Sequence, residues 1–163
     1  MFYFKYLTRL LLTLFTTALL ITGSRAADDP GLPVMDVYKN PACGCCHGWI
    51  THLAQNGFIT VAHDMDDLSP LKTENNIEPR YESCHTAISK NGYVFEGHVP
   101  AKTIRRFLLE RPKDAIGLTV PGMVAGSPGM EYGDNFTPYS VLLLKKDGSS
   151  RVYARIKIQK EQY

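Results

Sequence analysis

The chain has 163 residues, and its 18 lysine and arginine residues against 16 aspartate and glutamate residues give a formal net charge of +2. Three of the basic residues, Lys5, Arg9 and Arg25, lie in an N-terminal segment that we expect to be removed, and their loss takes the charge from +2 to −1. No basic patch remains to bind a nucleic acid or an anionic membrane surface, so we exclude both classes of partner.

The N-terminal segment predicts export. Basic residues precede an apolar run, residues 10–21, and small residues spaced for signal peptidase surround Ala26. We predict a signal peptide over residues 1–26 and a single domain over residues 27–163. The apolar run is shorter than the ~20 residues of a transmembrane helix, so we expect no stable membrane insertion after cleavage. An uncleaved N-terminal anchor is the alternative interpretation.

The mature chain predicts an α/β domain. Strand and helix patterns follow one another in the order βαβαββα, which is the order of a thioredoxin-like fold. Asn91-Gly92 is one of the strongest short turn signals and joins the two strands of the central hairpin. The predicted elements are a strand at 34–38, a helix at 46–55, a strand at 58–62, a short helix ending near 75, strands at 86–89 and 93–96, and a helix at 101–110.

Two additions follow this core. Residues 117–137 are rich in glycine and proline and are too long for a plain connector, so we predict an ordered or functional loop. The loop contains the triplet Pro-Gly-Met twice, at 121–123 and at 128–130. A final hairpin is predicted from strands at 140–144 and 151–156 with a turn at Asp147-Gly148.

Four cysteines carry the chemistry of the sequence. Cys43, Cys45 and Cys46 lie at the predicted N-terminus of the first helix, where unpaired backbone N–H groups favour thiolate over thiol. Cys84 lies in the loop that enters the third strand, and in a thioredoxin-like fold this loop passes beside that helix end. Four sulfurs around one point suit Cu(I) or zinc, and in an exported protein with Met-containing loops we favour copper.

Two other uses of the cysteines compete with metal binding. Cys43 and Cys46 have the spacing of the thioredoxin motif, which fits a thiol–disulfide oxidoreductase without a resting metal. Structural disulfides are usual in exported proteins, but Cys45 and Cys46 are neighbours that can hardly bond each other without strain. A bridge between Cys43 and Cys46 closes too small a loop to add much stability. One long-range disulfide to Cys84 would still leave two of the four cysteines unpaired.

Five sequence blocks, in order, point to a known family. They are Cys43-Gly44-Cys45-Cys46 with Trp49, Ser83-Cys84-His85-Thr86-Ala87, Glu96-Gly97-His98-Val99-Pro100-Ala101, Val120-Pro121-Gly122-Met123 and Gly126-Ser127-Pro128-Gly129-Met130-Glu131. The mature chain thereby resembles the exported CopG-type copper-resistance proteins of Gram-negative bacteria. The resemblance implies a thioredoxin-like domain that acts in periplasmic copper tolerance and binds a small copper cluster through Cys43, Cys45, Cys46 and Cys84.

We therefore predict a periplasmic copper-binding protein that holds Cu(I) in a multinuclear cluster, because thiolate sulfurs can bridge two copper ions. Transfer of copper or electrons to other periplasmic copper-handling proteins is a further expectation. A metal-binding protein is a simpler interpretation than an enzyme, although copper-dependent redox activity is compatible with the same site. Residues 37–44 also resemble the nucleophile loop of glutaredoxin-like arsenate reductases, but Cys45-Cys46-His47 replaces the Ser-Arg pair of that family, so arsenate chemistry is not expected.

Five further residues are secondary candidates. His85 follows a predicted ligand and is expected either to bind the metal or to orient a sulfur. His47 follows the helix cysteines, and its side chain on a helix can equally point to solvent. His98 is expected to be structural. Met123 and Met130 share the same Pro-Gly context and are either packing residues or copper contacts.

Overall fold

A computed structural model describes residues 32–163 and confirms the α/β class. The predicted signal peptide, residues 1–26, lies outside the described residues. Within the part of the chain that the structure describes, no helix is long and apolar enough to cross a membrane. The elements are β1 (Val34–Lys39), α1 (Gly44–Gln55), β2 (Ile59–Asp64), α2 (Ser69–Glu74), β3 (His85–Ser89), β4 (Val94–Glu96), α3 (Ala101–Glu110), β5 (Ala115–Thr119), β6 (Tyr139–Lys145) and β7 (Ser150–Ile156), with short 3₁₀ turns at Pro79–Tyr81 and Gln159–Gln162.

The strands form one mixed sheet of seven strands in the order β2-β1-β3-β4-β5-β6-β7. β1 is parallel to β2 and antiparallel to β3, and β3 is antiparallel to β4. From β1 to α3 the elements follow the predicted order. Local signals are sufficient here, because the crossover helix, the Asn91-Gly92 turn and the amphipathic α3 are each encoded within a short stretch of sequence.

The segment after α3 differs from the prediction. The sequence predicts a loop over 117–137, but Ala115–Thr119 form β5, which is parallel to β4 and antiparallel to β6. β5 therefore joins the C-terminal hairpin of β6 and β7 to the central sheet. Gly117 lies in the middle of this five-residue strand, and glycine is a weak strand signal, so the local pattern favours a loop while long-range pairing imposes a strand.

Alternate strand residues face two separate cores. The larger core lies between the sheet and the helices α1 and α3 and includes Met35, Val37, Trp49, Phe95 and Phe107. The smaller core lies on the other face, near α2 and the 3₁₀ turn that follows it, and includes Ile77, Tyr81, Val94 and Leu144. Because α1 covers the sheet at β1, its N-terminus lies close to the start of the neighbouring strand β3.

Candidate metal centre

The pairing of β1 with β3 brings the cysteines together. α1 begins shortly after β1, and Cys43 is its N-cap residue. β3 is antiparallel to β1, and its first residue, His85, pairs with Lys39, the last residue of β1. Cys84 precedes β3 by one residue. It is therefore held beside the start of α1 despite its distance in sequence.

The four sulfur atoms lie within 4.8 Å of one another. The Sγ atoms of Cys43 and Cys45 are 3.5 Å apart, those of Cys46 and Cys84 are 3.5 Å apart, and those of Cys45 and Cys84 are 3.9 Å apart. Cys46 is buried and the other three are half-buried. The structure thus brings together all four predicted ligands, and their binding of a metal stays a prediction.

A disulfide joins Cys43 and Cys46, whereas Cys45 and Cys84 are free thiols. The long-range bridge to Cys84 that the sequence leaves open is therefore not formed. Because a bridge across two intervening residues closes a small loop, its contribution to stability is small. Its position at a helix N-terminus is typical of a redox-active pair. Reduction of this bond by two electrons and two protons gives two thiols, so four free sulfurs belong to the reduced protein.

Two histidines extend the site beyond the sulfurs. His98 Nε2 lies 3.1 Å from Cys84 Sγ, and His85 Nδ1 lies 3.3 Å from the same sulfur. Both imidazoles are fully buried. Cys84, His85 and His98 form a second group whose ligand atoms lie within 4.8 Å of one another. The Cys84 sulfur belongs to both groups and is the point at which they meet.

The hydrogen bonds of these histidines leave nitrogen atoms available. His98 Nδ1 donates to Pro128 O at 2.8 Å, which leaves the lone pair of Nε2 on the side of Cys84. His85 Nε2 is buried, and no described residue offers it a hydrogen-bond partner. Leaving a buried polar atom without a partner costs free energy, so this nitrogen marks a place where a ligand would be stabilising.

Burial sets the protonation states of the strand residues. It lowers the pKa of His98, and together with the nearby His98 and Lys72 it lowers the pKa of His85 well below the ordinary value of 6.5. Both imidazoles are therefore neutral and able to bind a metal. Burial and the neighbouring Cys45 raise the pKa of the Cys84 thiol to about 12. A metal ion that binds Cys84 must therefore displace its proton.

His98, which the sequence predicts to be structural, lies within reach of a predicted ligand, and its binding of a metal stays untested. The structure places it beside Cys84 because Thr86 pairs with Glu96, and two residues further along each strand Cys84 lies across from His98. The Asn91-Gly92 turn fixes this register. The turn was therefore the signal that could have identified His98.

The other secondary candidates have different positions. His47 is exposed and belongs to neither ligand group. Met123 is 57% exposed, and Met130 is half-buried. Copper contacts by the two methionines stay predictions.

The first Pro-Gly-Met triplet lies against the segment before Cys84. The Ser83 hydroxyl donates to Gly122 O, and Gly122 N–H donates to Glu82 O at 2.9 Å. These contacts hold the loop against the segment that leads into Cys84 and β3.

The second triplet lies against the N-terminal turns of α1. A Cβ atom on Gly129 would be 2.5 Å from Trp49 N and 2.7 Å from Cys45 O, and Gly129 has φ +86°. Both the close approach and the backbone conformation require glycine. Since Pro128 also accepts the hydrogen bond from His98, this loop connects the helix cysteines with the second ligand group.

Comparisons with known proteins place these residues in context. A family model described as a protein of unknown function, DUF411, matches residues 81–130, which include Cys84, His85 and His98. No curated protein matches the chain. A solved structure of copper resistance protein CopG, form 2, is 40% identical with a TM-score of 0.71 and covers 76% of this chain and 98% of its own. Form 1 of CopG is 41% identical with a TM-score of 0.70 and covers 76% of this chain and 96% of its own.

Proposed function

This chain belongs to the family of the CopG copper resistance proteins, and on that premise we propose that it binds Cu(I) in the periplasm in a cluster bridged by Cys43, Cys45, Cys46 and Cys84. The observation that carries the proposal is the convergence of four sulfurs from two distant segments within 4.8 Å. Copper bound there would supply one-electron redox chemistry.

The chemistry of the donor set supports a soft metal. Thiolates select Cu(I) or zinc, and neutral imidazoles suit both ions. The buried His85 Nε2 without a hydrogen-bond partner also favours a bound ligand in this part of the site. The copper resistance relatives favour copper over zinc. We infer that the cysteines are the principal ligands, with His98 and His85 completing the donor set.

The shared position of Cys84 supports a cluster of more than one copper ion. Its sulfur lies 3.5 Å from Cys46 Sγ in one group and 3.1 Å from His98 Nε2 in the other. A thiolate that faces two sets of donors is suited to bridging two metal ions. We therefore propose that the Cys84 sulfur bridges copper ions held on the two sides.

The sheet order supports a thioredoxin-like core. β2, β1, β3 and β4 are adjacent in that order, with β2 parallel to β1, β3 antiparallel to β1, and β4 antiparallel to β3. α1 and α3 pack on one face. We propose that β1 to α3 form this core, and that β5, β6, β7 and the two Pro-Gly-Met loops are an addition that covers the site.

The proposed location depends on the signal peptide. We propose cleavage after Ala26, so that the mature chain begins at Ala27, and release into the periplasm, where other copper-handling proteins would exchange copper or electrons with it. Mass spectrometry of protein from the periplasmic fraction tests this. A product that begins at Met1 and stays in the cytoplasm would contradict the location and would return zinc to consideration.

The Cys43–Cys46 disulfide favours a second candidate function, that of a thiol–disulfide oxidoreductase. In that reaction a Cys43 thiolate attacks a substrate disulfide, and Cys46 then displaces the reduced substrate as the bridge forms again. Metal-free protein would then reduce insulin disulfides with dithiothreitol as electron donor, and Cys43→Ser would abolish the activity. We expect little turnover, because Cys45 and Cys84 crowd the same sulfurs.

The test of copper binding is metal analysis of protein expressed with copper and purified anaerobically. The reduced protein should carry more than one copper ion per chain, and four thiols should be titrated after copper is removed. Protein in which the Cys43–Cys46 bond is kept oxidised is the matched control and should carry less copper, since two of its sulfurs are bonded to each other. A reduced protein without copper, or with zinc in its place, would contradict the proposal.

A further inference from the structure

Lys72 of α2 and Glu96 of β4 form an ion pair inside the protein. Lys72 Nζ lies 2.5 Å from Glu96 Oε1, and the two side chains are 5% and 0% exposed. Phe95 faces the larger core, so Glu96, the next residue in the strand, faces the opposite side of the sheet. A buried ion pair gives little net stability, because the cost of removing two charges from water offsets their attraction. Stability alone therefore does not account for this pair.

Both charged groups bind the backbone of one residue, Ser83. Its N–H donates to Glu96 Oε1 at 2.7 Å, and its carbonyl oxygen accepts from Lys72 Nζ at 2.6 Å. Thr86 Oγ1 donates to Glu96 Oε2 at 2.6 Å and so holds the carboxylate in place. The Ser83 carbonyl belongs to the planar peptide unit that contains Cys84 N. The ammonium group therefore fixes the orientation of the peptide that leads into Cys84.

The opposite side of Ser83 is also confined. A Cβ atom on Gly97 would lie 2.6 Å from Ser83 Cβ, so the Gly97 backbone lies directly against the Ser83 side chain. Gly97 N–H also donates to His85 O at 3.0 Å. The segment around Cys84 thus lies between the chain that leads into His98 on one side and the ion pair on the other.

We propose that Lys72 and Glu96 are positioning residues for Cys84, which hold the preceding peptide so that the Cys84 sulfur stays at the meeting point of the two ligand groups. The inference rests on the proposed copper function. A rotation of this peptide would move a sulfur that lies 3.5 Å from Cys46 Sγ and 3.1 Å from His98 Nε2, and both groups would lose their shared member. Charged partners are suited to this task, because hydrogen bonds from or to an ionised group are shorter and stronger than neutral ones.

The test is the double variant Lys72→Met/Glu96→Gln, which keeps side-chain volume nearly constant and removes both charges, so that no unpaired charge stays buried. The reduced variant should still unfold cooperatively but should bind copper at least tenfold more weakly in competition with a Cu(I) chelator. Its charge-transfer absorption should also differ from that of the wild type.

Two control variants separate positioning from general loss of stability. Leu143→Ala removes core volume in β6, where Leu143 is 1% exposed, and should lower the melting temperature while copper affinity stays at the wild-type value. Thr73→Ala, on the same helix as Lys72, removes an exposed hydroxyl bond to Ser69 O and leaves the contacts of Lys72 and Glu96 in place, so its copper affinity should stay within threefold of wild type. Wild-type copper affinity in the double variant would overturn the proposal. So would an equal loss of copper affinity in Leu143→Ala when the two variants have the same melting temperature.

Hydrogen exchange in the metal-free wild-type protein provides a measurement that needs neither copper nor a variant. The Ser83 amide should exchange as slowly as the paired amides of β3, because it is bound to a buried carboxylate. Fast exchange at Ser83 would overturn the proposal even if the double variant does not fold. A wild-type protein that binds no copper but protects Ser83 would instead contradict the proposed function and leave the contact itself intact.

Discussion

The two halves of the site are built differently. The helix half, Cys43, Cys45 and Cys46, falls within four consecutive residues, is mostly half-buried, and starts a helix whose N-terminus has no side-chain cap hydrogen bond. The strand half, Cys84, His85 and His98, combines two buried histidines with a half-buried cysteine from facing ends of a hairpin. The helix half supplies sulfurs and a disulfide that can open. The strand half supplies fixed positions. If the proposed copper site is formed, it therefore combines redox-sensitive sulfurs from one half with rigidly held ligands from the other.

The largest change in stability is expected from a glycine substitution in the strand half, compared with one in the helix half. Gly97→Ala should lower the free energy of unfolding by roughly 3 kcal/mol, because it combines an unfavourable positive φ with contacts at 2.6 Å to Ser83 and to Val120 O. Gly44→Ala, in the helix half, meets no atom within 4 Å and should be neutral or slightly stabilising. Chemical denaturation measures both.

Gly92→Ala is the control for backbone strain. Gly92 has φ +77°, and a Cβ there would meet nothing within 4 Å. The substitution should therefore lower the free energy of unfolding by about 1–2 kcal/mol through the left-handed backbone conformation alone. If Gly97→Ala costs no more than Gly92→Ala, the strand half is less tightly packed than the structure indicates.

Copper affinity should respond to one histidine and not to the other. His98→Gln should weaken Cu(I) binding roughly 10- to 100-fold, a loss typical of a removed ligand or of a disturbed partner of a ligand. His47→Gln should leave the affinity unchanged, since His47 is exposed and outside both ligand groups. Competition with a Cu(I) chelator measures both variants. Equal losses of affinity in the two variants would mean that His47 contributes as much as His98, which would contradict the division of the site.

The stability of the metal-free protein should fall as the pH drops below about 6.5. Burial lowers the pKa of His52, His85 and His98 in the folded protein, so below 6.5 the unfolded chain binds more protons. Stability is full above the ordinary histidine pKa and is lost as the pH falls from there towards the lowered folded values. Each histidine contributes a slope of at most about 1.4 kcal/mol per pH unit.

A substitution of His52 measures how much of this pH dependence of stability comes from that residue. Its Nε2 accepts a hydrogen bond from Ala101 N at 3.0 Å, at the start of α3, and the oxygen of Gln can do the same without titrating. Urea unfolding of His52→Gln between pH 7.5 and 5 should therefore show a shallower pH dependence than that of the wild type. An unchanged slope would show that His52 is not held neutral by the fold.

The smallest effect is expected at Met123. Because this side chain is 57% exposed and leucine has a similar volume, Met123→Leu should change the free energy of unfolding by less than about 0.5 kcal/mol. A loss of copper affinity in this variant would then report a thioether contact with copper directly. A large loss of stability would instead show that the first Pro-Gly-Met loop is part of the core.

The sequence predicts those parts of the molecule that are encoded locally. α3 runs over Ala101–Glu110, as its amphipathic pattern and flanking prolines predict. The thiol cluster can be recognised because three of its members fall within residues 43–46, and Cys84 could be added once the order of elements was known. β5 could not be predicted in this way, because Gly117 opposes a strand locally and the pairing with β4 and β6 is decided by tertiary structure.

The strand half of the site was harder to predict for a related reason. A lone histidine such as His98 carries no signal of its own, and its place beside Cys84 follows from the strand register that the Asn91-Gly92 turn sets. The contact of Lys72 with the Ser83 backbone could not be predicted from the sequence either, since a lysine on a short helix ordinarily faces solvent. The role of a residue that is set by contacts with a distant segment can therefore be recognised only in the structure. A role that is set by neighbouring residues can be predicted from the sequence.

The most direct measurement compares the copper content of Cys84→Ser and Cys45→Ser under the same Cu(I) competitor. If the two halves form one site, Cys84→Ser should lose copper about as severely as Cys45→Ser, because the sulfurs of the wild-type residues lie 3.9 Å apart and would then bind the same ions. Thermal unfolding should show that both variants are folded. Wild-type stoichiometry and affinity in Cys84→Ser would contradict the shared site and would leave the helix cysteines as the whole of the copper centre.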